Sequence, residues 1–175
     1  SKDPLTYGSW GQGSSGQITM EALKQKTKID LLHIPYNGTA PLMQAQLSNQ
    51  VSSAIVPVLV ADQHVKAGSV RMLAVTARER LAAFPDVPIM KEMGVEIDMG
   101  PWLGFLAPAG TPTAVVDKLN TVIASSIAEP QVAEVMKKMT MVIDKMSPGD
   151  YQKFVNSEYE RWGSYIRAAK ITMDF

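Results

Sequence analysis

The sequence predicts an α/β protein: a sheet flanked by helices over residues 1–98, followed by a mainly helical segment. Three observations carry that expectation. Short β-rich runs alternate with helical stretches through the first half of the chain. Where each run gives way to a helix, the connection holds glycine, proline and capping hydroxyls. After Phe84 the chain becomes rich in proline and glycine, and its last third then follows the helical period.

Residues 5–7 read as the end of a strand. Residues 14–26 form a helix, with Ser14 or Ser15 as N-cap and Ile18, Ala22 and Leu23 on one face. Residues 30–34 are a second strand, closed by Pro35. Thr39 caps the next helix, which has Pro41 in its first turn and carries Leu42, Met43 and Leu47. The apolar run 53–60, interrupted by Pro57, reads as a strand ending in a turn. A short helix over 61–67, ended by Gly68, leads to a buried strand at 70–76, "VRMLAVT". Residues 95–101 mark the passage between two lobes, and 102–107 are strand-like. Thr111-Pro112 opens a helix in which Val115, Leu119, Val122 and Ser126 keep the period until Pro130. A shorter helix covers 131–139. Ser147-Pro148 starts the last one, with Phe154, Val155, Tyr159, Trp162 and Ile166 as its inner stripe.

Composition narrows the function. The 175 residues suffice for one domain and a piece of a second. Seventeen basic residues balance seventeen acidic ones, so no net field draws the chain to nucleic acid. Without cysteine there is no disulfide, thiol catalysis or thiolate metal site. No run of about 18 apolar residues is present to span a bilayer. His33 and His64 lie far apart without carboxylates at ligand spacing, and no G-x-S-x-G occurs, so neither a metal centre nor a nucleophile elbow is expected. The eleven methionines read as core filler, and Arg71 and Arg78 as surface residues. No catalytic residue, cofactor or metal is expected.

The stretch "YGSWGQGSSGQ" contains G-x-G-x-x-G at Gly11, Gly13 and Gly16. A dinucleotide site also needs an acidic residue at the end of the next strand, where this chain has Pro35-Tyr36. A nicotinamide-dependent oxidoreductase is therefore an alternative, as is a ligand-sensing regulatory module. The favoured reading is an anion site, because a helix start leaves backbone N–H groups unpaired and its dipole favours negative charge. "PYNGTAP" repeats the construction, and two such starts facing one cleft trap an anion better than one. The expected ligand-binding residues are Ser9, Trp10, Gly13, Ser14, Ser15, Tyr36, Gly38, Thr39, Val56 and Pro57. Ser9 and Thr39 act as hydroxyl donors, Ser14 and Ser15 as helix-start donors, and Tyr36 as a cleft wall. Trp10, Val56 and Pro57 shape the space for the ligand body.

Five segments follow one another in order and spacing: "LTYGSWGQGSSGQ", "HIPYNGTAP", "VKAGSVRMLAVTARERLAAFPDVP", "GPWLGFLAPAGTP" and "WGSYIRAAKI". Together they resemble the receptors of tripartite tricarboxylate transporters, the TctC or Bug family of periplasmic solute-binding proteins. The resemblance implies a type II periplasmic-binding-protein-like fold, with 1–98 as the second, ligand-binding lobe. It implies that 99–175 are a hinge strand and a helical segment belonging to the first lobe, whose N-terminal part this chain lacks. Capture of a small carboxylate in an inter-lobe cleft, delivery to membrane permease subunits and a periplasmic location (the export signal lying outside this chain) follow from the same likeness. The ligand would be a di- or tricarboxylate or an aromatic acid. Val56-Pro57 stands where many relatives carry Asp-Asn, so pairing with a ligand amine is disfavoured. A chain lacking part of a lobe is expected to self-associate.

Overall fold

The computed structural model describes residues 4–97, 100–139 and 141–172. Its centre is β1 (Thr6–Ser9), flanked in parallel by β2 (Leu32–Pro35) and by the short β3 (Ser53–Ala54), giving the order β2-β1-β3. Thr6 stands opposite Leu32 and Ser9 opposite Pro35, while Tyr7 pairs with Ser53 and Gly8 with Ala54. Helix α1 (Ser15–Thr27) connects β1 to β2, and α2 (Thr39–Leu47) connects β2 to β3.

Alternation along β1 assigns the two helices to opposite faces of the sheet. Tyr7 is fully buried, and its hydroxyl donates a 2.6 Å hydrogen bond to Glu21 of α1. Its neighbour Gly8 points the other way, and a Cβ there would meet Leu42 of α2 and the ring of Tyr36. Leu42 is itself fully buried, a contribution of about 1.5–3 kcal/mol for a side chain of this size. Gly8 thus lets α2 approach the sheet as closely as it does. Ile18, Met20 and Ala22 of α1, Met43 and Ala45 of α2, and Val51 complete this core.

The predicted strand 53–60 is corrected to a two-residue strand followed by α3 (Val58–Lys66). Pairing stops because β1 ends at Ser9 and turns into the glycine loop. Its last ladder bond is the Ile55 N–H to the Gly8 carbonyl, 3.2 Å. Beyond that point the chain has no edge to join, and Pro57 opens a helix whose Ala61 is buried. The predicted strand 70–76 is likewise reduced to one parallel bridge, Val75 with Ile89, ahead of a 3-10 turn at Met90–Met93. Arg80 bonds the Glu92 carboxylate and the Pro85 carbonyl across this stretch.

Residues Ser1–Pro101 and Ser164–Phe175 form one compact unit, and Trp102–Gly163 a second. Asp98 and Met99, at the expected lobe boundary, lie outside the described residues. The second unit contains α4 (Thr113–Ile127), α5 (Pro130–Lys138) and α6 (Pro148–Ala169) as far as Gly163. The predicted strand 102–107 is not one. The segment pairs with no strand among the described residues, and Leu103, Phe105 and Leu106 are exposed. A strand exists only as half of a pair, and apolar character alone does not supply the other half. Trp102 packs edge-on to Tyr151 and Phe154, at centroid distances of 6.1 and 5.3 Å. The stripe expected on α6 is corrected at one position: Tyr159 is exposed, whereas Glu158 is buried, accepting hydrogen bonds from Arg161 and Trp162.

Replacing Gly8 with Ala tests the close approach of α2. The added Cβ is expected to cost about 1–3 kcal/mol, the usual range for overpacking. Urea denaturation should read this as a lower midpoint with an unchanged slope.

Candidate functional site

All three strands are parallel, so the loops that follow them leave from one edge of the sheet. Tyr36 N–H donates to the Ser9 carbonyl at 3.0 Å, joining the loop after β1 to the loop after β2. Three helices start here. The sequence anticipates α1, α2 and the body of α3 over 61–67, but places the start of α3 three residues late, because the apolar run around Pro57 reads equally as strand. The available signal was Pro57 directly before Val58, Ala61 and Val65, which share one helical face.

The loop after β1 is tied from within. Ser14 Oγ accepts the Gln17 N–H at 3.2 Å, and the Gln17 side chain reaches back to the Gly13 N–H at 2.7 Å. The pair resembles a Ser-x-x-Gln capping box, except that Gln17 takes the N–H of Gly13, one residue before the cap, in place of that of Ser14. Ser14 N–H donates to the Gly11 carbonyl at 3.2 Å. Gly11 and Gly13 hold φ of 149° and 69°, values that favour glycine. The cap leaves over the N–H groups of Ser15 and Gly16, which have no acceptor within the helix.

Several expected roles change with this geometry. Ser9 is fully buried, with its Oγ 2.7 Å from His33 Nε2 and donating to the Gly11 carbonyl at 3.1 Å. It holds the loop from beneath and has no hydroxyl to spare for a ligand. Gly13 and Ser14 commit their N–H groups to the cap and the turn, so the helix-start donors are Ser15 and Gly16. Trp10 does not stand free: a Cβ on Gly16 would collide with its indole ring, which lies over the first turn of α1. In a dinucleotide fingerprint the third glycine lets the helix pack closely on its strand, whereas Gly16 here faces the Trp10 indole, which weighs against the oxidoreductase reading. Ser9 and His33 have the spacing of a nucleophile and its base, but the burial of Ser9 leaves no room for a substrate there.

In the second loop, Gly38, at φ 108°, is the N-cap of α2, and Thr39 is the first helical residue. The expected Thr39 cap is thus corrected: glycine reaches this backbone conformation at little cost, and threonine does not. No side chain caps α2, nor does any cap α3, whose N-cap is Pro57. Their first N–H groups therefore meet no capping side chain, while the Val60 N–H of α3 donates to the Pro57 carbonyl at 2.9 Å. The Tyr36 ring packs on Gly8. Val56 is half-buried and Pro57 exposed. Helices α1 and α2 lie on opposite faces, and their starts leave the same sheet edge from the two sides. In this strand order the reversal of winding falls between β1 and β3, where ligands of doubly wound sheets bind. The apolar Val56-Pro57 follows β3 on that side of β1. A concavity of about 530 Å3 lined by residues 4–6 and 49–52 opens at the opposite, amino-terminal edge.

Beneath the loop, the His33 ring stacks on Tyr7 at 4.8 Å. Burial lowers the His33 pKa; Glu21 opposes that shift and Lys24 adds to it. The Tyr7 hydroxyl is raised, first by burial and then by its hydrogen bond to Glu21. Among the described residues, no three His, Asp or Glu side chains converge as metal ligands would, and no helix is long and apolar enough to cross a membrane.

A parallel β2-β1-β3 lobe with helix starts gathered at one edge is the architecture of the type II periplasmic binding proteins. The model of the tripartite tricarboxylate transporter family receptor matches residues 2–171, and the chain belongs to that family. A protein of Bordetella pertussis from the UPF0065 group is 32% identical over 164 residues, 93% of this chain and 51% of that protein. The solved structure described as R. palustris Rpa4515 with adipate is 28% identical with a TM-score of 0.77, covering 98% of this chain and 58% of that one. MatC from Rhodopseudomonas palustris with bound malate is 25% identical with a TM-score of 0.72, covering 93% and 56%. The chain spans about half the length of the curated relatives it matches.

The lowered His33 pKa has a testable sign. The unfolded state takes up a proton near pH 6.5, above the value of the folded state. Stability is therefore complete above about pH 6.5 and is lost as pH falls toward the folded value. Chemical denaturation between pH 8 and 5 should show this loss in the parent protein and less of it in His33→Gln.

Proposed function

We propose that this chain carries the ligand-binding lobe of a periplasmic solute receptor, which captures a small carboxylate and passes it to the membrane permease of a tripartite tricarboxylate-type transporter. In this reading residues 1–98 form that lobe, and 99–175 supply the hinge strand and helices of the other. No catalysis and no cofactor take part. The observation that carries the proposal is the family match over residues 2–171 together with three helix starts at one sheet edge, two of them uncapped by any side chain. Adipate and malate, bound by the solved relatives, make dicarboxylates the leading ligand class. Ser15, Gly16 and Thr39 donate to the carboxylate, Gly38, whose N–H is held by the Tyr36 carbonyl at 2.9 Å, shapes the second loop, and Trp10, Tyr36, Val56 and Pro57 bound the ligand's carbon chain. Ser9, Gly13 and Ser14 shape the loop. Val56 brings no charge to meet an amine, which disfavours amino acids.

Magnitudes limit what this chain achieves alone. A helix start contributes roughly 0.3–1 kcal/mol toward an anion, rising to about 2 when partly buried. Hydrogen bonds to a charged group add about 1.5–3 kcal/mol each. Micromolar affinity needs about 8 kcal/mol after an association cost of roughly 4–15 kcal/mol. This chain is therefore expected to bind malate and adipate at millimolar concentration. Titration followed by amide NMR should move the Ser15, Gly16 and Thr39 resonances, and glucose should not. Absence of those shifts with either acid would remove the proposal, and micromolar affinity would overturn the magnitude argument.

A further inference from the structure

One half-buried group touches the candidate site from the neighbouring strand. His33 lies in β2, not in the loop after β1, yet its Nε2 is 2.7 Å from Ser9 Oγ. Ser9 has a single hydroxyl proton, and that proton is given to the Gly11 carbonyl at 3.1 Å. The relay uses the imidazole tautomer with its proton on Nε2, in which the hydroxyl accepts from His33. The Gly11 carbonyl also accepts the Ser14 N–H, the bond that turns the chain into the first turn of α1. An unbroken series of hydrogen bonds runs from β2 through Ser9 and Gly11 to the helix start. The His33 ring is kept in place by its stack on Tyr7, which Glu21 holds in turn.

We propose that His33 is a positioning residue for the glycine loop: through Ser9 it holds the Gly11 carbonyl, so that the open N–H groups of α1 are set before any ligand arrives. Preorganised donors bind an anion without the entropic penalty of ordering the loop. This role rests on the reading of that loop as ligand-binding, but the hydrogen-bond relay itself is independent of the ligand.

The test uses three variants. His33→Phe keeps a ring against Tyr7 and removes the donor, His33→Gln restores a donor near the Nε2 position, and Ser9→Ala removes the middle of the relay. Hydrogen exchange of the Ser14 amide, without ligand, should quicken about tenfold in His33→Phe and Ser9→Ala, the usual effect of losing one hydrogen bond. In His33→Gln it should stay within about twofold of the parent protein. The Lys28 amide, bonded to Lys24 at the far end of α1, serves as control. Unchanged Ser14 exchange in Ser9→Ala overturns the relay, as does failure of His33→Gln to preserve protection; if His33→Phe does not fold, these two variants decide. Malate and adipate titrations of the same proteins form the second arm. If the parent protein binds neither acid, the proposed function fails while the exchange data still decide the relay.

Discussion

The sheet depends on one strand of four residues. Among the described strands β1 alone has partners on both sides, and its positions are committed: Tyr7 to α1, Gly8 to α2, and Ser9 to the loop that follows. Alternation makes these commitments mutually exclusive. A side chain at Gly8 would push α2 away from the sheet, and a shift of one register position would turn Tyr7 toward the wrong helix. Burial, helix placement and loop geometry are therefore not separate achievements of this chain. They are read out from the same few residues.

The same strand explains why the edge that carries the three helix starts is built as it is. Helices on opposite faces cannot both point along one wall, but their starts can meet where parallel strands end together. The glycine loop uses some of its own amides for internal order and leaves others open. The loops before α2 and α3 carry no side-chain cap at all. Donors are thus gathered by strand direction, and the loop between them is stiffened from below by β2. The local cost of positive φ at Gly11, Gly13 and Gly38 falls on glycines, which bear it most easily.

Local signals in the sequence were sufficient where structure is local. The Ser14 cap, the proline-led start before α4 and the break at Pro130 depend on neighbours within four residues, and each appears where the pattern placed it. Strands depend on partners far along the chain. The apolar runs at 53–60, 70–76 and 102–107 carried the composition of strands, but only two residues of the first found a ladder. The site followed the same division. That Ser14 and Ser15 stand at a helix start was legible. That Ser9 turns inward to His33, 24 residues away, was not, since nothing local distinguishes a buried hydroxyl from a presented one.

Trp10 brings one more property to the edge. Its indole rests on the first turn of α1 in contact with Gly16, while Trp102 and Trp162 belong to the other compact unit, among aromatic neighbours and beside Glu158. The loop therefore contains its own fluorophore, whose emission colour depends on whether the ring stays seated on bare backbone or is lifted into water. Gly16 is the seat, and through it an optical signal is coupled to the shape of the loop without any label.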